Sequence, residues 1–278
     1  MQDAFAYCAE LVRTADRDRY LSVLFAPADR RNALHALYAF NAELARVREV
    51  AHEPMPGEIR LQWWREVLDG ERGGEAAANP VAAALLIVIE RYRLATPALH
   101  GLIDARHFDL YDEPMARIAD LESYARDTSS AVMTLAAQIL GGIGAREVAD
   151  PAGIALAISA LLRAFPLHAA RRQLYVPIEL LDRHGAAAED IFAGRSSAPL
   201  RAALAELRDL ARRHLAAADA HRAALPPEVW PAFLPVAPVR RMLDRLDRSD
   251  PFASAEMSPW RRQWLIWRAA RHPARMTR

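Results

Sequence analysis

The stretch "LLRAFPLHAARRQLYVP", from Leu161 to Pro177, gathers Arg163, His168, Arg171 and Arg172 between an apolar run and a proline. Guanidinium groups grip phosphate oxygens bidentately, so this set describes an anion site. No carboxylate stands among them to hold a metal. A second constellation, His100, Asp104 and His107, falls at i, i+4 and i+7 on one helical face. Two imidazoles and a carboxylate are metal-ligand types. A single helix seldom completes such a site, and solvation of all three is the expectation. Asp109 and Glu113 share a helical spacing, but Pro114 ends the segment, and a solvated surface is expected for them too. Cys8 sits near the terminus and no serine occupies a glycine-flanked elbow, which sets a nucleophilic triad aside. "GGIGAREVADP" lacks the Lys-Ser/Thr of a phosphate loop.

Helices must position these groups. Alanine, leucine and arginine dominate, and runs of Val, Ile and Thr are nearly absent, so propensity and the 3.6-residue period predict an all-α chain. Breakers predict helices over Asp3–Ala15, Pro27–Ala51, Glu58–Asp69, Pro80–Leu94, Thr96–Leu110 and Ile118–Leu140. A further one opens at Pro151 and leads into the basic stretch. Others span Pro177–Arg183, Pro199–Ala224, Pro238–Leu246 and Pro259–Arg271. A turn is expected at Tyr20–Phe25, and "GERGGEAAANP" and "AGRSSAP" read as loose connections. With no long linker and no repeat, residues 1–278 form one helical bundle domain.

Trp63 and Trp64 are adjacent and so cannot share a helix face. One belongs in the core, and Trp64 is the candidate for a groove or partner surface. Trp260, Trp264 and Trp267 form a stripe flanked by arginines, which suits a membrane interface or partner groove. It also suits a last helix laying its aromatic face on the bundle, the arrangement expected here.

A net charge of +1 excludes a general nucleic-acid coating role. All 36 basic residues are arginine. One cysteine cannot form an internal disulfide, which fits a reducing cytoplasm. The N-terminus has early acids and no apolar core, so no signal peptide is expected. "PVAAALLIVI" is about half a membrane span. The expected location is cytoplasmic, free or peripheral on the inner face of the cytoplasmic membrane.

"ALYAF" at Ala36–Phe40, "YARDTSSAV" from Tyr124 and "GIALAISALLRAFPLHAARRQLYVP" from Gly153 resemble segments of the squalene/phytoene synthase family. The resemblance implies an isoprenoid-synthase-type helical bundle around a central cavity. In that family two aspartate motifs hold Mg²⁺, which grips a substrate diphosphate. A departing diphosphate needs hard cations, and those need several carboxylates. Here the first motif aligns with "ARVRE", giving Ala45 and Glu49. The second gives Ala164, Leu167 and His168, and preceding polar positions become Ala157 and Ala160. Pro166 also interrupts the second helix. Arg163, Arg171, Arg172 and Tyr175 keep matching positions, implying an anion-binding mouth on an apolar cavity, which Phe165 and Leu167 are large enough to fill.

"FNAELARV", "IRLQWWRE", "LRAFPLHAARRQLYVPIELLDRHG" and "PAFLPVAPVRRMLDRLDRSDPF" resemble a non-catalytic branch, the respiratory complex I assembly factors with a squalene/phytoene synthase-like domain. That implies NADH:quinone oxidoreductase subunits or assembly intermediates as partners, an isoprenoid or lipid-like ligand, and no cofactor. The alternative is an active prenyltransferase that uses Mg²⁺ held by Glu43, Glu49, Asp120 and Asp127. A structural bundle whose basic cluster only makes salt bridges is the third reading.

Overall fold

The structure, a computed structural model, describes residues 2–51, 53–142 and 144–272. The described residues are helical with no strand. The Ala28–Ala45 helix is buried continuously from Ala33 to Ala42, because it is apolar around most of its circumference. Gln2–Ala15, Pro80–Tyr92 and Ala131–Ile139 pack around it. A second layer sets Arg146–Arg163 along Ala198–His221.

Local signals place the starts. The Asn79 side chain accepts from the Val81 and Ala82 amides at 3.0 Å, with Pro80 behind it. Ser197 caps the long Ala198–His221 helix in the same manner. The expected turn at Tyr20–Phe25 is instead a helix, Arg17–Val23, because Asp16 caps it by accepting from the Arg19 amide at 3.1 Å. The expected helix to Ala51 breaks at Arg46, leaving Val47–Val50 as a short turn. The glycine-rich loose stretch contains the helix Gly73–Ala78. Pro151 lies inside Arg146–Arg163 rather than opening it.

The segment expected as one helix from Ile118 passes through a π-helical turn at Arg126–Ser130. Gly153 explains how its neighbour fits. A Cβ there would run into the Ser130 backbone, so only glycine lets the Arg146–Arg163 helix approach this turn. Ser130 Oγ donates to the Asp150 carbonyl at 2.7 Å and fastens the contact.

Candidate functional site: an arginine-lined cavity

Between these layers lies a cavity of about 710 Å³. Ala157, Ala160, Leu161 and Arg163 line it from one helix, and Ala45, Arg46 and Glu49 from the helix break opposite. The π-turn contributes Thr128 and Ser129, the N-terminal segment Asp16, Asp18 and Arg19, and the last helix Arg262. The wall is therefore mixed rather than apolar as expected, with Leu156, Leu161, Val239 and Met242 beside these charges. Every lining arginine has a carboxylate. Arg19 meets Asp16 at 2.6 Å, Arg163 meets Glu256 at 2.8 Å, Arg106 meets Asp109 at 3.0 Å and Arg46 meets Glu49 at 3.8 Å. Arg262 binds Asp18 through two guanidinium nitrogens.

The predicted basic cluster is dispersed. Arg163 lines the cavity, but its helix stops there and Pro166 falls in the first turn of a new helix, Phe165–Ala170. Arg171 and Arg172 follow that helix and are exposed, and neither lines the cavity. Arg172 adopts φ +56° and lays its guanidinium 4.5 Å from the Phe192 ring centre. Phe165 packs on Phe252 at 5.3 Å and Leu167 is exposed, so neither fills the cavity.

Tyr175 belongs to a different group. Its hydroxyl donates to Asp109 Oδ1 at 2.7 Å, beside the Tyr124 hydroxyl at 2.9 Å and Arg106 Nη1, which donates to Asp109 Oδ2 at 3.0 Å. Asp109, expected at the surface, is only 7% exposed. Burial, reinforced by the Asp109 charge, pushes the Tyr175 hydroxyl far above its ordinary range, so it remains a donor. Burial also raises Tyr124. Burial alone would lower Arg106, but Tyr124 and Asp109 outweigh it and hold the guanidinium charged. His168 stacks on Tyr175 at 4.6 Å, and burial pulls its imidazole down to about 4. Arg106 and Tyr124 also line the cavity, so this cluster stands directly behind its wall. Sequence reasoning missed Asp109. The available signal was an acid between Phe108 and Leu110, three residues from an arginine.

The positions that the family resemblance aligns with metal-binding acids lie as follows. Ala45 and Glu49 line the cavity, with Glu49 engaged by Arg46. Ala164 caps the next helix, and His168 occupies a narrow cleft beside Tyr175. Of the alternative acids, Glu43 pairs with Arg60, Asp120 with Arg117 at 3.0 Å, and Asp127 accepts from Ser123 at 3.4 Å. His100 takes Asp69 at 3.1 Å while Asp104 takes Arg65. Among the described residues no three His, Cys, Asp or Glu side chains converge, so the donor set does not fit a magnesium cluster.

The tryptophans reverse the expectations. Trp64, the candidate contact surface, is 1% exposed and meets Phe40 edge-on at 4.9 Å, because its helix face turns toward the central helix. Trp63 instead reaches the surface, and its Nε1 donates to Glu75 at 2.8 Å. On the Pro259–Arg271 helix the buried residues are Leu265, Ile266 and Ala269. Trp260, Trp264 and Trp267 point outward, 82%, 51% and 48% exposed, rather than docking on the bundle.

A helical bundle closed around such a cavity is the architecture of isoprenoid synthases. The chain belongs to the squalene/phytoene synthase family, whose pattern it matches over residues 12–268. It is 32% identical to NADH dehydrogenase (ubiquinone) complex I, assembly factor 6 of Rattus norvegicus, over 89% of this chain and 75% of that protein. It is 23% identical to the 15-cis-phytoene synthase of Synechococcus elongatus, over 94% of this chain and 91% of that one. A solved dehydrosqualene synthase in complex with ligand shares the fold, with a TM-score of 0.84 at 17% identity, covering 98% of this chain and 97% of that one. No helix among the described residues is long and apolar enough to cross a membrane.

Proposed function

We propose that this chain is a non-catalytic member of the family that serves in the assembly of respiratory complex I, NADH:quinone oxidoreductase. One observation carries the reading: where the family resemblance calls for metal-binding acids, the cavity presents Ala45 and an arginine-paired Glu49, and across from them Ala157 and Ala160 stand where the resemblance calls for amide side chains. Departure of a diphosphate is assisted by magnesium held on carboxylates, and the acids at this wall are already taken up by arginines. Similarity to the complex I assembly factors supplies the direction. The cavity then serves as a ligand site for an isoprenoid or lipid-like molecule, and partner subunits or assembly intermediates are met elsewhere on the surface. The place of action is the cytoplasmic side of the membrane that carries the complex.

Two measurements test this. Deletion of the gene is expected to lower assembled complex and NADH-dependent respiration, restored by the wild-type chain and by Glu49→Gln alike. Purified protein incubated with labelled farnesyl and geranylgeranyl diphosphate and Mg²⁺ is expected to yield no condensed hydrocarbon. A Mg²⁺-dependent squalene- or phytoene-length product overturns the reading in favour of an active prenyltransferase.

A further inference from the structure

The last helix is unusual in having two apolar faces. Leu265, Ile266 and Ala269 seal it to the bundle, and Arg262 on the same side binds Asp18 in the cavity wall. The opposite side carries Trp260, Trp264 and Trp267 in a row, exposed among the described residues. Residues spaced at i, i+4 and i+7 align along about 10 Å of helix axis. Arg268 lies 5.3 Å from the Trp264 ring centre and Arg271 lies 5.5 Å from that of Trp267. The row is thus a line of large rings edged by cations.

Charge is distributed to match. Beyond Glu256 the sequence holds six arginines and no acidic residue. The remainder of the chain carries 30 arginines against 35 acids. Within the Pro259–Arg271 helix there are four arginines and no acid, and with Arg262 turned to Asp18 the others, Arg261, Arg268 and Arg271, leave a net positive charge on the helix that carries the tryptophan row. Indole combines an apolar ring with one N–H donor, and it settles where hydrocarbon meets headgroups. Guanidinium beside it meets lipid phosphate. Because the helix is fixed broadside by its inner face, it presents the row lengthwise, as an interfacial helix lies on a membrane.

We propose that the outer face of the Pro259–Arg271 helix, with Trp260, Trp264 and Trp267 flanked by Arg261, Arg268 and Arg271, docks the protein on an anionic phospholipid bilayer. This stands independently of the role in complex I assembly. The rings enter the headgroup boundary and the arginines engage phosphates. The Arg262–Asp18 contact then holds the cavity wall beside the membrane.

The test is co-sedimentation of the full chain with phosphatidylcholine vesicles, with and without phosphatidylglycerol. Binding is expected only with phosphatidylglycerol, and it weakens as salt rises. Tryptophan emission shifts to the blue and is quenched by brominated lipid in the unmodified protein. Trp260→Ser, Trp264→Ser and Trp267→Ser together lower partitioning at least tenfold, and Arg261→Gln, Arg268→Gln and Arg271→Gln lower it about fivefold each. The melting temperature stays unchanged in the tryptophan variant and in the three arginine variants, since none of these side chains belongs to the buried core. Wild-type protein left in the supernatant overturns the proposal, as does binding without quenching or binding indifferent to the tryptophan and arginine variants. Capture of an acidic protein or RNA while vesicles remain bare overturns it equally.

Discussion

In the cavity wall, Arg46 and Glu49 form an exposed pair and Arg163 meets an exposed Glu256. Behind the Arg106–Tyr124 wall, one carboxylate, Asp109, is sealed from water and satisfied by two tyrosines and an arginine. Exposed pairs contribute about 0–1 kcal/mol each. A buried pair broken on one side costs about 3–5 kcal/mol, because the partner charge stays behind without compensation. These two exposed pairs can therefore lose an acid and keep the fold, whereas the cluster cannot. That difference allows a chain to retain an isoprenoid-synthase bundle while positions that the family resemblance aligns with metal-binding acids hold Ala45 and Ala164.

The comparison breaks if Asp109→Ala proves mild. The expected loss is about 3–5 kcal/mol in chemical denaturation, since Arg106 is left buried without its acceptor. Acid titration sharpens it next. Burial lowers His35 and His168 from 6.5 to about 4 in the folded chain. Between those values the unfolded chain binds protons that the native chain refuses, so stability is full above about pH 6.5 and falls as pH drops toward 4. The slope is about 1.4 kcal/mol per pH unit for each histidine. His168→Gln is expected to remove its share of that slope in unfolding measured across the window, and an unchanged slope would place the effect elsewhere. Gly153→Ala probes the boundary between the two regions. The new Cβ meets the Ser130 backbone, and a loss of about 2 kcal/mol is expected despite the better helix propensity of alanine. The smallest effect belongs to the wall: Glu49→Gln should leave the unfolding free energy within about 0.5 kcal/mol. A larger loss there would erase the distinction.

Local signals made most of the bundle legible. Asn79–Pro80, Ser197–Pro199 and Pro259 announce helices at the positions where they start, and the family-like segments point to the cavity. Long-range facts were not legible. Asp109 is buried by Tyr124 and Tyr175, 15 and 66 residues further along the chain, and nothing near it in sequence names them. Arg171 and Arg172 look continuous with Arg163 on paper, but Pro166 starts a new helix that carries them outside. The row of tryptophans was visible, yet its direction was not. Leu265, Ile266 and Ala269 form a second apolar face, and only packing decides which one the bundle takes. The close approach of the Arg146–Arg163 helix to the π-turn at Arg126–Ser130 likewise rests on Gly153, across the interface.

Asp18 and Arg262 are 244 residues apart in sequence. As the chain leaves the ribosome, Asp18 emerges long before its partner, and contacts of such separation close after local helices have formed. The cavity wall is thus left open on one side until the final tryptophan-bearing helix settles. A nascent chain carries an unpaired acid at that opening. Closure of this one contact then reports that synthesis has passed Arg262 and that both layers have met.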